Sequence, residues 1–164
     1  MRSFEIVQNI LTVLVMILFG VVFGLAIIPS YFLFEKLRSL SDGHGEFTEA
    51  AGICVGIGLG YILWGVCLLV ICGLFGGIFR IRKEEGKYPL RSVITIQWAF
   101  SLVAHRVARV FLGLIVPSFI GTIYYRMMGA KIGKGVQLNS MNINDASMIS
   151  IGDGVVVGGD ATIN

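Results

Sequence analysis

Two uninterrupted runs of uncharged, mostly apolar residues dominate the first half of the chain. Ile6 to Phe34 is bracketed by Glu5 and Glu35, and Ala50 to Phe79 by Glu49 and Arg80. A helix needs about 20 apolar residues to cross about 30 Å of hydrocarbon at 1.5 Å per residue. Both runs exceed that length, so the pattern predicts membrane-spanning helices over about 6–34 and 50–79. Pro29, near the end of the first run, marks its exit or a kink. The first run is too long for the apolar region of a signal peptide, about 7–15 residues, and no A-x-A cleavage site follows it, so it reads as a retained span. Between the runs, Ser41 to Gly45 reads Ser-Asp-Gly-His-Gly, which is turn chemistry. The prediction for 1–89 is therefore an antiparallel transmembrane hairpin.

A third apolar region, Ser92 to Tyr125, is broken by His105, Arg106 and Arg109. Such groups are expensive at the centre of a bilayer. The flanking pieces, Ser92 to Ala104 and Val110 to Tyr125 with Pro117 inside, are each short for a crossing. The region 90–128 is expected to form interfacial or re-entrant amphipathic helices, with the basic cluster at the headgroups. The alternative is a third true span, which would move the C-terminus to the other side. Lys36 and Arg38 lie in the connecting loop, whereas Arg80, Arg82, Lys83, Lys87 and Arg91 follow the second run. The richer side is cytoplasmic, which places both ends inside, most simply at the plasma membrane.

From Gly129 the pattern changes again. Ile151, Val157 and Ile163 recur every six residues; Gly or Asn follows each, and small side chains (Val155, Ala161) stand four places after the first two. Ile132-Gly133 with Val136, then Leu138, obeys the same rule. Six-residue repeats of this kind read as a parallel β-helix, with one aliphatic side chain stacked inward per face and turn-competent residues at the corners. Ile132 to Ile151 is nineteen steps, one more than three hexads, so a bulge or loop between Asn139 and Ser150 must absorb the excess. Residues 129–164 make only about two coils, whereas stacked repeats need about three for stability. The last coil leaves an open edge.

Composition agrees with a membrane protein. The 164 residues are 55% hydrophobic and 14% charged, against about 25% charged in an ordinary soluble domain. A formal net charge of +3 gives no reason to expect a nucleic-acid partner. Cys54, Cys67 and Cys72 are separated by twelve and four residues with no nearby His, so no metal site is expected and they read as small apolar side chains. Gly52, Gly56 and Gly60, Gly73 and Gly77, and Gly20 and Gly24 make small-xxx-small steps. They mark either a helix–helix interface or the ordinary glycine content of membrane helices.

One resemblance covers the last third. Gly121-Thr122, Tyr125-Arg126-Met-Met-Gly129-Ala130-Lys-Ile132-Gly133, Asn144-Asp145 and Ile149-Ser-Ile151-Gly152-Asp153-Gly154 resemble the hexapeptide acyltransferase-like membrane domain at the C-terminus of poly-lysine-synthetase-type peptide synthetases. The resemblance implies a left-handed parallel β-helix behind hydrophobic helices, acyl or aminoacyl transfer, and acyl-coenzyme A as the donor to test. In that family the β-helix continues, and a histidine follows soon after the segment matching Ala161 to Asn164. The expectation is thus a truncated piece whose β-helix is incomplete.

The expected function is a membrane-anchored acyltransferase-family protein, transferring an acyl or aminoacyl group to a hydroxyl or amine and incomplete as given. The alternative is a non-enzymatic membrane anchor or assembly subunit that docks through its helix faces and open β-helix edge. Expected partners are the lipid bilayer and either further copies in a homo-oligomer or a chain completing the β-helix. The polar candidates are His105, a general base by chemistry, and Asp145. Their ordinary readings are an interfacial polar group and a turn former.

Overall fold

The computed structural model describes residues 2–79, 88–89 and 92–163. Arg80, Arg82, Lys83, Lys87 and Arg91, on which the expected orientation rests, lie outside the described residues, as does Asn164. The protein is mostly helical: α1 (Arg2–Ser41), α2 (Glu46–Ile78), α3 (Val93–Ile115) and α4 (Phe119–Met127) precede four two-residue strands. The chain divides into two compact units, 1–68 and 69–164, and the division falls within α2.

The first unit holds α1 and the first two thirds of α2 as an antiparallel pair. Its turn is shorter than the loop between Glu35 and Glu49, because helix persists to Ser41 and resumes at Glu46. Gly43 and Gly45 take the positive φ values the turn requires (76° and 94°). The first helix does not exit at Pro29, which lies inside α1. A helix of 40 residues is about 60 Å long, roughly twice the hydrocarbon thickness. Only 6% of its most apolar stretch is buried against protein, so that surface is left for lipid. The glycine steps of α2 face α1: a Cβ at Gly52 would collide with Ser41, one at Gly56 would come within 3.0 Å of Phe34, and one at Gly60 would sit 3.7 Å from the Ser30 carbonyl. As numbers rise on α2 they fall on α1, the register of an antiparallel pair. Gly20 and Gly24 meet nothing within 4 Å.

In the second unit, Val93–Ile115 is one helix rather than two pieces divided at the basic cluster. Ser92 caps it, its hydroxyl accepting from the Thr95 N–H at 3.3 Å. The helix ends at Val116, whose backbone is extended, because the residue before a proline disfavours the helical region. Thus Pro117, not His105–Arg109, sets the break. At 23 residues α3 is, among the described residues, the third helix long and apolar enough to cross a membrane. The glycines at the end of α2 receive the end of α4: a Cβ at Gly77 would lie 2.5 Å from the Met127 carbonyl oxygen, and one at Gly76 would collide with Met128.

A Schellman ending turns α4 into the repeat. The Ala130 N–H donates to the Tyr125 carbonyl and the Gly129 N–H to the Arg126 carbonyl, each at 3.0 Å. Gly129 supplies the positive φ (107°). The Arg126 guanidinium then donates to the Ile132 and Gly133 carbonyls at 2.9 and 3.0 Å, fixing the first strand.

β1 (Lys131–Ile132) pairs in parallel with β3 (Ser150–Ile151), and β2 (Gln137–Leu138) with β4 (Val156–Val157). A parallel bridge joins Ile143 to Ile163. Two short ladders and a bridge do not amount to the expected β-helix, and none is displayed by the described residues. The nineteen-residue offset holds in both ladders and becomes twenty at the bridge. The extra residues therefore fall between Ile143 and Ile151, where Asp145 takes a left-handed conformation and Ala146–Met148 makes a 3-10 turn.

Candidate functional site

The two sequence candidates are forty residues apart and border one cavity. His105 comes from the inward stripe of α3, with Ala104, Val107, Ala108, Phe111 and Leu112. Asp145 comes from the irregular corner of the repeat. Between them lies a cavity of about 360 Å³, bordered also by Trp98, Arg106, Arg109 and Asn144. Asp145 is fixed there by tertiary contact: the Trp98 indole N–H donates to its Oδ1 at 2.7 Å. Aspartate is also among the few residues that tolerate the left-handed region (φ 48°) found at this corner.

His105 is 4% exposed. Its Nδ1 shares a hydrogen bond of 3.0 Å with the Tyr124 hydroxyl, and its ring stacks on Tyr124 at 5.9 Å between centroids. Nε2 has no partner of hydrogen-bonding geometry, although the Met141 backbone acts on the ring. Arg109 is held by donation to Asn142 Oδ1 at 2.8 Å. Arg106 is exposed. No ion pair joins either arginine to Asp145.

Beneath the histidine, Tyr124 and Tyr125 are fully buried. Burial pushes both phenols well above the usual tyrosine value, because the phenolate would lose its water. The tyrosines thus remain neutral packing groups at any ordinary pH.

No protein-family model, curated protein or solved structure matches the chain.

The assignment of function therefore rests on the residues themselves. Sequence reasoning singled out His105 and Asp145 but not Trp98 or Tyr124, their hydrogen-bond partners. Nothing in the spacing could have found Trp98, which lies 47 residues from Asp145. Among the described residues no cluster of His, Cys, Asp and Glu could hold a metal ion. The three cysteines are free, with Cys54 exposed and Cys72 buried. A second cavity, about 550 Å³, lies beside Phe119, Thr122, Arg126 and Leu138. Its one charged group, Arg126, is already bonded to two backbone carbonyls.

Proposed function

We propose that this is a membrane-anchored acyltransferase-family protein, transferring an acyl or aminoacyl group to a hydroxyl or amine acceptor. The observation that carries the reading is the parallel pairing of one turn of the six-residue repeat with the next, at Ile132–Ile151, Leu138–Val157 and Ile143–Ile163. In this reading the pairings are the first two coils of a left-handed parallel β-helix. α1 and α2 cross the plasma membrane, α3 and α4 lie at its cytoplasmic face, and both ends are cytoplasmic. The excess of Lys and Arg after the second apolar run supports that orientation.

His105 serves as proton acceptor in this account. As the acceptor attacks the acyl carbon of an activated ester or thioester, its proton passes to the imidazole and the thiolate or alkoxide leaves. The position of His105 on the border of the cavity supports the assignment. The test is transfer of radiolabelled acyl groups from acyl-coenzyme A to membrane extract by the purified full chain. Activity that falls at least a hundredfold in His105→Gln is expected. Equal activity in that variant overturns the role of His105, and no transfer from any thioester overturns the reading itself.

A second reading, a non-enzymatic anchor or assembly subunit, is favoured by one feature. Val156 in the second coil is 60% exposed, with no further strand beyond it among the described residues. Such an edge can take another chain, including a second copy in a homo-oligomer.

A further inference from the structure

Arg106 and Arg109 stand three residues apart on α3 and border the same cavity as the Asp145 carboxylate, yet no ion pair of 4 Å or less forms across it. Opposite charges around a common space attract one another. Here each side is held back by its own contacts: Arg109 by Asn142, and Asp145 by Trp98. Arg106 has no hydrogen bond of its own among the described residues, leaving its guanidinium available. The site is therefore divided along α3, cationic at Arg106 and Arg109 and anionic about two turns earlier, where Trp98 holds the Asp145 carboxylate.

That division selects its occupant. A simple anion would meet two guanidiniums but also face the Asp145 carboxylate. A simple cation would meet Asp145 but face the guanidiniums. A molecule carrying both charges satisfies both sides. Guanidiniums match phosphate oxygens in fork geometry. An ammonium group matches a carboxylate. We propose that this cavity binds a phosphoethanolamine-type zwitterion, phosphate on Arg106 and Arg109 and ammonium on Asp145, presented in the membrane as an aminophospholipid headgroup. The lipid source follows from the surroundings. The same helix exposes Val93, Ile96, Val110 and Leu114, an apolar surface suited to acyl chains, and Trp98 is the kind of residue that sits at headgroup level. Free phosphoethanolamine carries the same pair of charges. The cavity is the one His105 borders in the proposed transfer, but binding here needs no transfer and is measured without it.

The full chain in detergent micelles, with Trp64→Phe so that Trp98 is the remaining reporter, is titrated with dihexanoyl-phosphatidylethanolamine, -phosphatidylglycerol and -phosphatidylcholine, and with O-phosphoethanolamine. The proposal expects saturable binding of the ethanolamine lipid, at least tenfold tighter than the other two lipids. Asp145→Asn, which keeps an acceptor for the Trp98 N–H and suits the left-handed backbone, should bring the ethanolamine lipid down to the glycerol lipid's affinity. Arg106→Gln should weaken both lipids at least fivefold. Competition by O-phosphoethanolamine supports recognition of the headgroup itself. Equal affinity for the glycerol and ethanolamine lipids, or an Asp145→Asn variant that still prefers ethanolamine, overturns the zwitterion assignment. Binding of O-phosphoethanolamine without any lipid binding overturns the lipid source.

Discussion

Alanine at Gly77 is a direct test of how the second unit is held together. Its Cβ would stand 2.5 Å from the Met127 carbonyl oxygen, whereas a carbon normally approaches a carbonyl oxygen to about 3.3 Å. One backbone must therefore retreat by about 0.8 Å. Met127 cannot yield by rotating a side chain, because the obstructing atom is backbone at the end of α4, one residue before the Schellman turn begins to enter the repeat. Overpacking of this kind costs about 1–3 kcal/mol. Replacing a helical glycine by alanine gains up to about 1 kcal/mol in propensity, which masks part of the loss. Gly58→Ala supplies the correction, since nothing lies within 4 Å of that position on the same helix. The difference between the two variants isolates the steric term, about 1–3 kcal/mol, or roughly 5- to 150-fold in the folded ratio. Reversible unfolding in mixed micelles, followed by circular dichroism as the denaturing detergent fraction rises, measures it. Gly77→Ala as stable as Gly58→Ala would refute the close approach.

The tyrosine pair gives two further predictions. Tyr124→Phe removes the hydroxyl that meets Nδ1 of buried His105, at a cost of about 1–3 kcal/mol for a polar group left unsatisfied. Tyr125→Phe should change stability by less than about 1 kcal/mol, since that hydroxyl has no partner of hydrogen-bonding geometry although the Ile143 backbone lies beside it; micelle unfolding at neutral pH compares the two. At alkaline pH the sign is fixed: both phenols titrate higher folded than unfolded, so their contribution is intact below the ordinary tyrosine value of 10.0 and is lost above it. Stability should fall by up to about 1.4 kcal/mol per pH unit for each phenol above that point. Tyr125→Phe should lessen the slope, and an unchanged slope in pH-dependent unfolding would refute the burial of that phenol.

Much of this architecture was legible in the sequence because hydrophobic run length and six-residue spacing are one-dimensional signals. Ile6–Phe34 and Ala50–Phe79 became α1 and α2, and the turn at Ser41–Gly45 lay where its glycines required. The glycine steps at Gly52–Gly60 proved to be an interface within the hairpin, whereas Gly20 and Gly24 meet nothing; equal spacing cannot reveal which face a partner covers. The charges of 92–125 suggest a division at 105–109, but the helix ends before Pro117, since a missing N–H and a restricted preceding residue act on the backbone whereas charges can be accommodated by turning to a polar cavity. Arg109 is accommodated by Asn142 in that way. The nineteen-step spacing predicted an irregularity without locating it, because any turn between Asn139 and Ser150 would satisfy the count. Its position at Asp145 coincides with the Trp98 contact, a tertiary interaction with no local signature.

The most direct test of coil on coil pairing is the distance between Gln137 and Val156, which face each other across β2 and β4 and are both exposed. Spin labels on cysteines at these positions, in a background lacking Cys54, Cys67 and Cys72, are read by continuous-wave electron paramagnetic resonance in lipid bilayers. The account predicts strong dipolar broadening in the double-labelled protein compared with the sum of the two single labels. A double-labelled spectrum equal to that sum would contradict it.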